Sequence, residues 1–99
     1  MGLLGLGMRA GHLVIGVDGV RKALQRDEVR CLVLASDASP RATAKTLALA
    51  QAKRVAIVQG PAADEIGLKL GRPPVMAVGV RDRALAQGIQ RQVQSGQEV

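Results

Sequence analysis

The chain has 99 residues, 47% of them hydrophobic, yet it contains no Phe, Trp or Tyr. That length gives one domain with a core of Leu, Val, Ile, Ala and Met, and the missing rings exclude recognition by stacking bases on aromatic side chains. Lys and Arg number 14 against 8 Asp and Glu, a formal charge of +6 with a pI near 10.8, which favours a polyanionic partner and nucleic acid first.

A lone cysteine, Cys31, rules out a disulfide framework and a cysteine zinc cluster, and its place in the apolar run Cys31-Leu32-Val33-Leu34-Ala35 makes it a core residue. Gly2 to Met8 is apolar but short, Gly-rich and without leading basic residues, so it does not read as a signal peptide. No run approaches the roughly 18–20 apolar residues of a membrane span. A cytoplasmic protein without membrane contact, metal or cofactor is expected.

Leu3, Leu4, Leu6 and Met8 with Arg9 predict a short first helix closing at Gly11. Gly5-Leu6-Gly7-Met8-Arg9-Ala10 matches a dinucleotide fingerprint, but that motif needs a strand before its first glycine and only four residues precede Gly5. His12, the single histidine, has no orienting partner in sight for a catalytic base and reads as structural or solvated. Leu13–Ile15 is a short strand, and a helix follows from Val17 to Arg26. On it Val17, Val20 and Leu24 fall at core spacing, while Asp18, Arg21, Lys22 and Gln25 lie on the other side. Gly16 supplies the tight turn between strand and helix. The backbone N–H groups that follow, with Arg21 and Lys22 one turn on, make a seat for a phosphate backbone.

Asp27-Glu28 marks a loop, and Cys31–Ala35 is a strand covered on both faces. Ser39 is an N-cap and Pro40 suits the first helical position, so a helix runs from there to about Ala52. Lys53-Arg54 introduces a third strand, Val55–Val58. A short helix follows from Ala62 to Leu70, then a loop, Gly71-Arg72-Pro73-Pro74, whose prolines cannot continue it. Val75–Val80 is the fourth strand. Arg81-Asp82-Arg83 opens a last helix to about Val93, leaving 94–99 as a frayed tail. Helices and strands alternate throughout, which predicts an α/β fold, a three-layer α/β/α sandwich around a four-stranded sheet, in a single domain over 1–93.

The order of these pieces resembles the kink-turn RNA-binding ribosomal proteins of the large-subunit seven-Ae and thirty-e type, with their short bacterial relatives. The landmarks are Leu3-Leu4-Gly5-Leu6, Arg9-Ala10-Gly11-His12-Leu13, Gly16, Lys22-Ala23 and Leu32-Val33-Leu34-Ala35-Ser36-Asp37-Ala38-Ser39. Ile66-Gly67, Gly71 and Val75–Val80 before a final helix complete the match. The family motif G-x-N-E-x-x-K aligns with Gly16-Val17-Asp18-Gly19-Val20-Arg21-Lys22, so Asp18 replaces the asparagine and Gly19 the glutamate that read sheared G·A pairs. Asp18 keeps an acceptor but loses the amide donor, and Gly19 offers only backbone. A second family contact, the loop before the last strand, aligns with Gly71-Arg72-Pro73-Pro74-Val75.

The resemblance implies a non-enzymatic protein that binds structured RNA, ribosomal or kink-turn, as a monomer. The expected RNA-binding residues are Gly16, Val17, Asp18, Gly19, Arg21, Lys22, Arg72, Pro73, Pro74 and Val75. Each has a plainer role too: Asp18 can serve the helix dipole with Lys22 as its i, i+4 partner, and the cations can be solvated surface. The absent Asn-Glu pair leaves a second reading, a module for ribosome or translation proteins that keeps the scaffold without specific RNA reading. Asp64, Glu65 and Lys69 could form a small catalytic site, but Glu65 and Lys69 have the i, i+4 spacing of a surface pair. No nucleophile–base or metal pattern is readable.

Overall fold

The computed structural model describes residues 5, 7, 8 and 10–94. Four strands and four bounded helices alternate as β1 (Leu13–Ile15), α1 (Val17–Gln25), β2 (Cys31–Leu34), α2 (Pro40–Ala52), β3 (Ala56–Gln59), α3 (Ala63–Leu70), β4 (Ala77–Val80) and α4 (Arg83–Gln94). Of the expected first helix, Gly5, Gly7 and Met8 are helical, and Gly11 N–H donates to the Met8 carbonyl where it ends. Leu3, Leu4, Leu6 and Arg9 lie outside the described residues, as do residues 95–99 of the expected tail. Gln94 itself belongs to α4.

The sheet has the order β1-β4-β2-β3. β2 and β3 pair in parallel, and β4 runs antiparallel between β1 and β2. Three strands therefore point one way, and their C-terminal ends form one pole of the molecule together with the start of β4. Successive crossovers β1→β2 and β2→β3 advance in the same direction across the sheet, and the right-handed rule for such connections puts α1 and α2 on one face. Both helices bury residues in one cluster there: Val20, Ala23 and Leu24 from α1 and Ala50 from α2, against Leu32 and Ala77 of the sheet. The other face carries Ala63, Ile66 and Leu70 of α3 and Ala86 and Ile89 of α4 over Cys31, Val33, Val78 and Val80. Alternate residues of β2 thus serve opposite layers, which is why that strand is apolar throughout. The protein is the three-layer α/β/α sandwich the alternation predicts.

Two strands start later than expected. Arg54 takes a left-handed φ of 57° and Val55 N–H returns to the Ala50 carbonyl, so the chain is still leaving α2 at Val55 and β3 begins at Ala56. Val75 N–H donates to the Ala63 carbonyl of α3, which keeps it out of the ladder until Ala77. Capping explains the other end of the helices. Ser39 Oγ accepts from Ala42 N–H at 3.1 Å and caps α2, as its sequence position foretells. Asp37 Oδ1 accepts from Ala63 N–H at 2.8 Å, so a residue 26 positions earlier holds the first turn of α3.

Candidate nucleic-acid interface

At the pole where β1 ends, Gly16 turns the chain into α1 with φ 99° and ψ 153°, a region open in practice only to glycine. Its N–H is tied to the Ala77 carbonyl of β4 at 3.0 Å, and its carbonyl accepts the first helical bond from Val20. Gly16 has no side chain to cap the helix, so the N–H groups of Val17, Asp18 and Gly19 have no intrahelical acceptor. A Cβ built on Gly16 would meet nothing within 4 Å, so a ligand can reach this backbone. The positive end of the helix dipole lies at the same place.

The side chains of the motif then divide. Asp18, Arg21 and Lys22 are exposed, whereas Val17 is half-buried and packs against the core. Asp18 stands 4.0 Å from Lys45 of α2 rather than pairing with Lys22, and at 86% exposure that contact is weak. Gly19 faces β1: a Cβ there would sit 3.1 Å from Val14 Cγ1. Any side chain at position 19 must displace Val14 slightly before it can point at a ligand.

The loop before β4 reaches the same pole from the other face. Gly71 closes α3 with a left-handed φ of 67°, and Arg72 N–H donates to the Gly67 carbonyl at 2.8 Å. Gly67 makes this close approach possible, because a Cβ there would press on the Pro73 carbonyl oxygen and lie 2.7 Å from that of Arg72. Arg72, Pro73 and Pro74 are exposed. Val75, expected at the interface, is 6% exposed and packs into the core under α3. The exposed apolar side chain after this loop is Met76, which shares a cleft of about 300 Å³ with Val17, Asp18, Ser39, Arg41 and Lys45. Met76 also joins the pole to β2 through its carbonyl, which accepts from Ala35 N–H at 2.8 Å.

Arg41, Lys45 and Met76 were not singled out by sequence. Arg41 and Lys45 are four apart on α2, so their shared face was readable, but that it adjoins Asp18 depends on α1 and α2 lying side by side. His12 lies at the opposite pole, lining a hollow with Glu28, Arg81 and Asp82. Cys31 is fully buried, and burial pushes its thiol up from 9.0 to about 11, which suits a core residue rather than a nucleophile.

With this geometry in view, the model of the L7Ae/L30e/S12e/Gadd45 ribosomal protein family matches residues 1–89. The chain belongs to that family. An RNA-binding protein of Halalkalibacterium halodurans is 36% identical over 63 residues, spanning 64% of this chain and 77% of that one. An RNA-binding protein of Bacillus pumilus is 38% identical over the same length and shares. A Bacillus halodurans protein of unknown function superposes with a TM-score of 0.88 at 26% identity, covering 93% of each chain. The Giardia lamblia 15.5 kD RNA-binding protein has the same fold, with a TM-score of 0.79 at 18% identity over 94% of this chain and 80% of that one. This L7Ae-family chain therefore presents the family scaffold. Among its described residues, no helix is long and apolar enough to cross a membrane, and no group of three or more His, Cys, Asp or Glu could hold a metal ion.

Proposed function

We propose that this chain is a non-enzymatic, cytoplasmic RNA-binding protein that acts as a monomer on structured, kink-turn-like RNA. The observation that carries this reading is the open, uncapped start of α1 at Gly16, flanked by exposed cations. The family membership and the RNA-binding names of the bacterial relatives support it. A phosphate at the α1 N-terminus receives N–H groups of Val17, Asp18 and Gly19. Arg21, Lys22 and Arg72 neutralise neighbouring phosphates, and Asp18 accepts from a base edge. Pro73 and Pro74 give a rigid apolar surface for an unstacked base, with Arg72 free to stack as a planar cation.

The second reading, a module for ribosome or translation proteins, draws on Gly19: where the family places a base-reading glutamate, this chain has only backbone. Titration of a labelled kink-turn RNA, and of the same RNA with its G·A pairs replaced, at two salt concentrations separates the two. The RNA reading predicts preference for the intact kink-turn, with log K falling by about 0.7–0.9 per neutralised phosphate for each decade of salt. Equal binding to both RNAs refutes kink-turn reading, and binding to neither refutes the RNA reading and favours the protein partner.

A further inference from the structure

The positive charge of the chain is not confined to the start of α1. Between α1 and α2 runs an open groove of about 540 Å³ whose floor is Ala44, Ala48, Leu49 and Ala52. Arg21 rims it from α1, and Arg41 and Lys45 from α2; three cations and no carboxylate line it. Two of them, Arg41 and Lys45, also line the cleft that holds Val17, Asp18 and Met76, so groove and pole are continuous. Beyond its far end stand Arg26 at the C-cap of α1 and exposed Arg54 just after α2, next to an ion pair of Lys53 with Asp27 at 3.0 Å. Cations at helix C-termini are favoured by the dipole, but nothing in the fold requires them along the groove walls.

We propose that the α1–α2 groove is a second RNA site, which takes a single-stranded sugar–phosphate backbone leaving the pole and carries it along the helices. The small alanine side chains leave room for a chain of sugars, and the rim cations stand where phosphates pass. With no aromatic residue anywhere in the sequence, base stacking on rings is not available, so this contact is electrostatic and indifferent to sequence. The proposal rests on RNA being the partner at the pole, but its test does not need kink-turn recognition.

The probe is a fluorescent twelve-nucleotide oligouridine, titrated against the wild-type chain, Ala48→Glu and Ala48→Gln. Ala48 is exposed in the middle of α2, so both variants keep the fold, which the thermal midpoint checks. Three neutralised phosphates give a salt slope of about −2 for a single strand, so threefold more salt weakens wild-type binding about ninefold. Ala48→Glu, which sets a carboxylate between the rim cations, is expected to lose binding at least as far, while Ala48→Gln keeps most of it. Amide resonances of Ala44, Ala48 and Ala52 shift as oligouridine is added. Equal binding by wild type and Ala48→Glu overturns the proposal. So does a result in which an acidic amphipathic peptide moves those amides and oligouridine does not. Loss of discrimination between intact and G·A-replaced kink-turn RNA is a separate outcome, which refutes the reading of the pole and leaves the groove result standing.

Discussion

Gly67→Ala couples the fold to the interface most directly. The added methyl meets backbone: the Pro73 carbonyl oxygen, the Arg72 carbonyl oxygen at 2.7 Å and the Pro73 carbonyl carbon at 2.8 Å. Neither α3 nor the loop can yield by turning a side chain, so residues 71–74 must lift from the helix. Arg72 N–H then loses its 2.8 Å bond to the Gly67 carbonyl. Overpacking of this kind costs about 1–3 kcal/mol, and alanine's better helix propensity, about 1 kcal/mol, roughly offsets the lost Arg72 bond. The net expectation is a loss of about 1–3 kcal/mol, a fall of roughly 4–24 °C in thermal midpoint for a domain of this size. Urea unfolding measures it, with an unchanged slope showing that the folded state stays compact. RNA affinity should fall as well, because Arg72, Pro73 and Pro74 move with the loop. Gly71→Ala is the control: it has nothing within 4 Å and pays only the left-handed backbone cost of about 1–2 kcal/mol. Unchanged stability in Gly67→Ala would refute the close helix–loop packing from which the interface is built.

Gly16→Ala meets no atom within 4 Å but must hold φ 99°, so about 1–3 kcal/mol of backbone strain is expected from the urea midpoint, with weaker RNA binding; an unchanged midpoint contradicts it. Asp37→Ala removes the remote cap of α3 and Ser39→Ala the local cap of α2, each at about 1 kcal/mol. Hydrogen exchange should quicken at residues 63–66 in the first and 41–43 in the second, and the reverse assignment would refute the capping scheme. The buried Cys31 thiol ionises near 9.0 when unfolded and about 11 when folded. The unfolded chain therefore holds fewer protons between those values, and the stability this thiol contributes, present in full below pH 9, is lost as pH rises to 11, about 2–3 kcal/mol in all. Cys31→Ala should flatten that part of the curve, and identical slopes in both proteins would argue against a buried neutral thiol.

The alternation of apolar runs with helical spacing was sufficient for the layer architecture, and strong local signals marked two elements to the residue. β1 is bounded by Gly16, and α2 begins at the Ser39-Pro40 pair. Where no such punctuation exists the bounds moved: Arg54 adopts a conformation usually left to glycine, and Val75 is drawn to α3 by a backbone bond. The exposed start of α1 and the loop at Arg72 were legible because glycine and proline fix their backbones. The burial of Val75 was not legible, because an apolar residue after two prolines looks the same whether it faces solvent or core. Asp37 as a cap, Met76 at the pole and the cationic groove all depend on the order β1-β4-β2-β3, which local sequence does not encode.

On the proposed reading, RNA meets this protein at the pole formed by the start of α1 and the loop before β4. Amide chemical-shift mapping with a short kink-turn RNA tests it most directly. The expected result is shifts concentrated at Gly16, Val17, Asp18, Gly19, Arg72 and Met76, with Gly11, His12 and Asp82 at the opposite pole unmoved. Shifts at the opposite pole with the first set unmoved would contradict it.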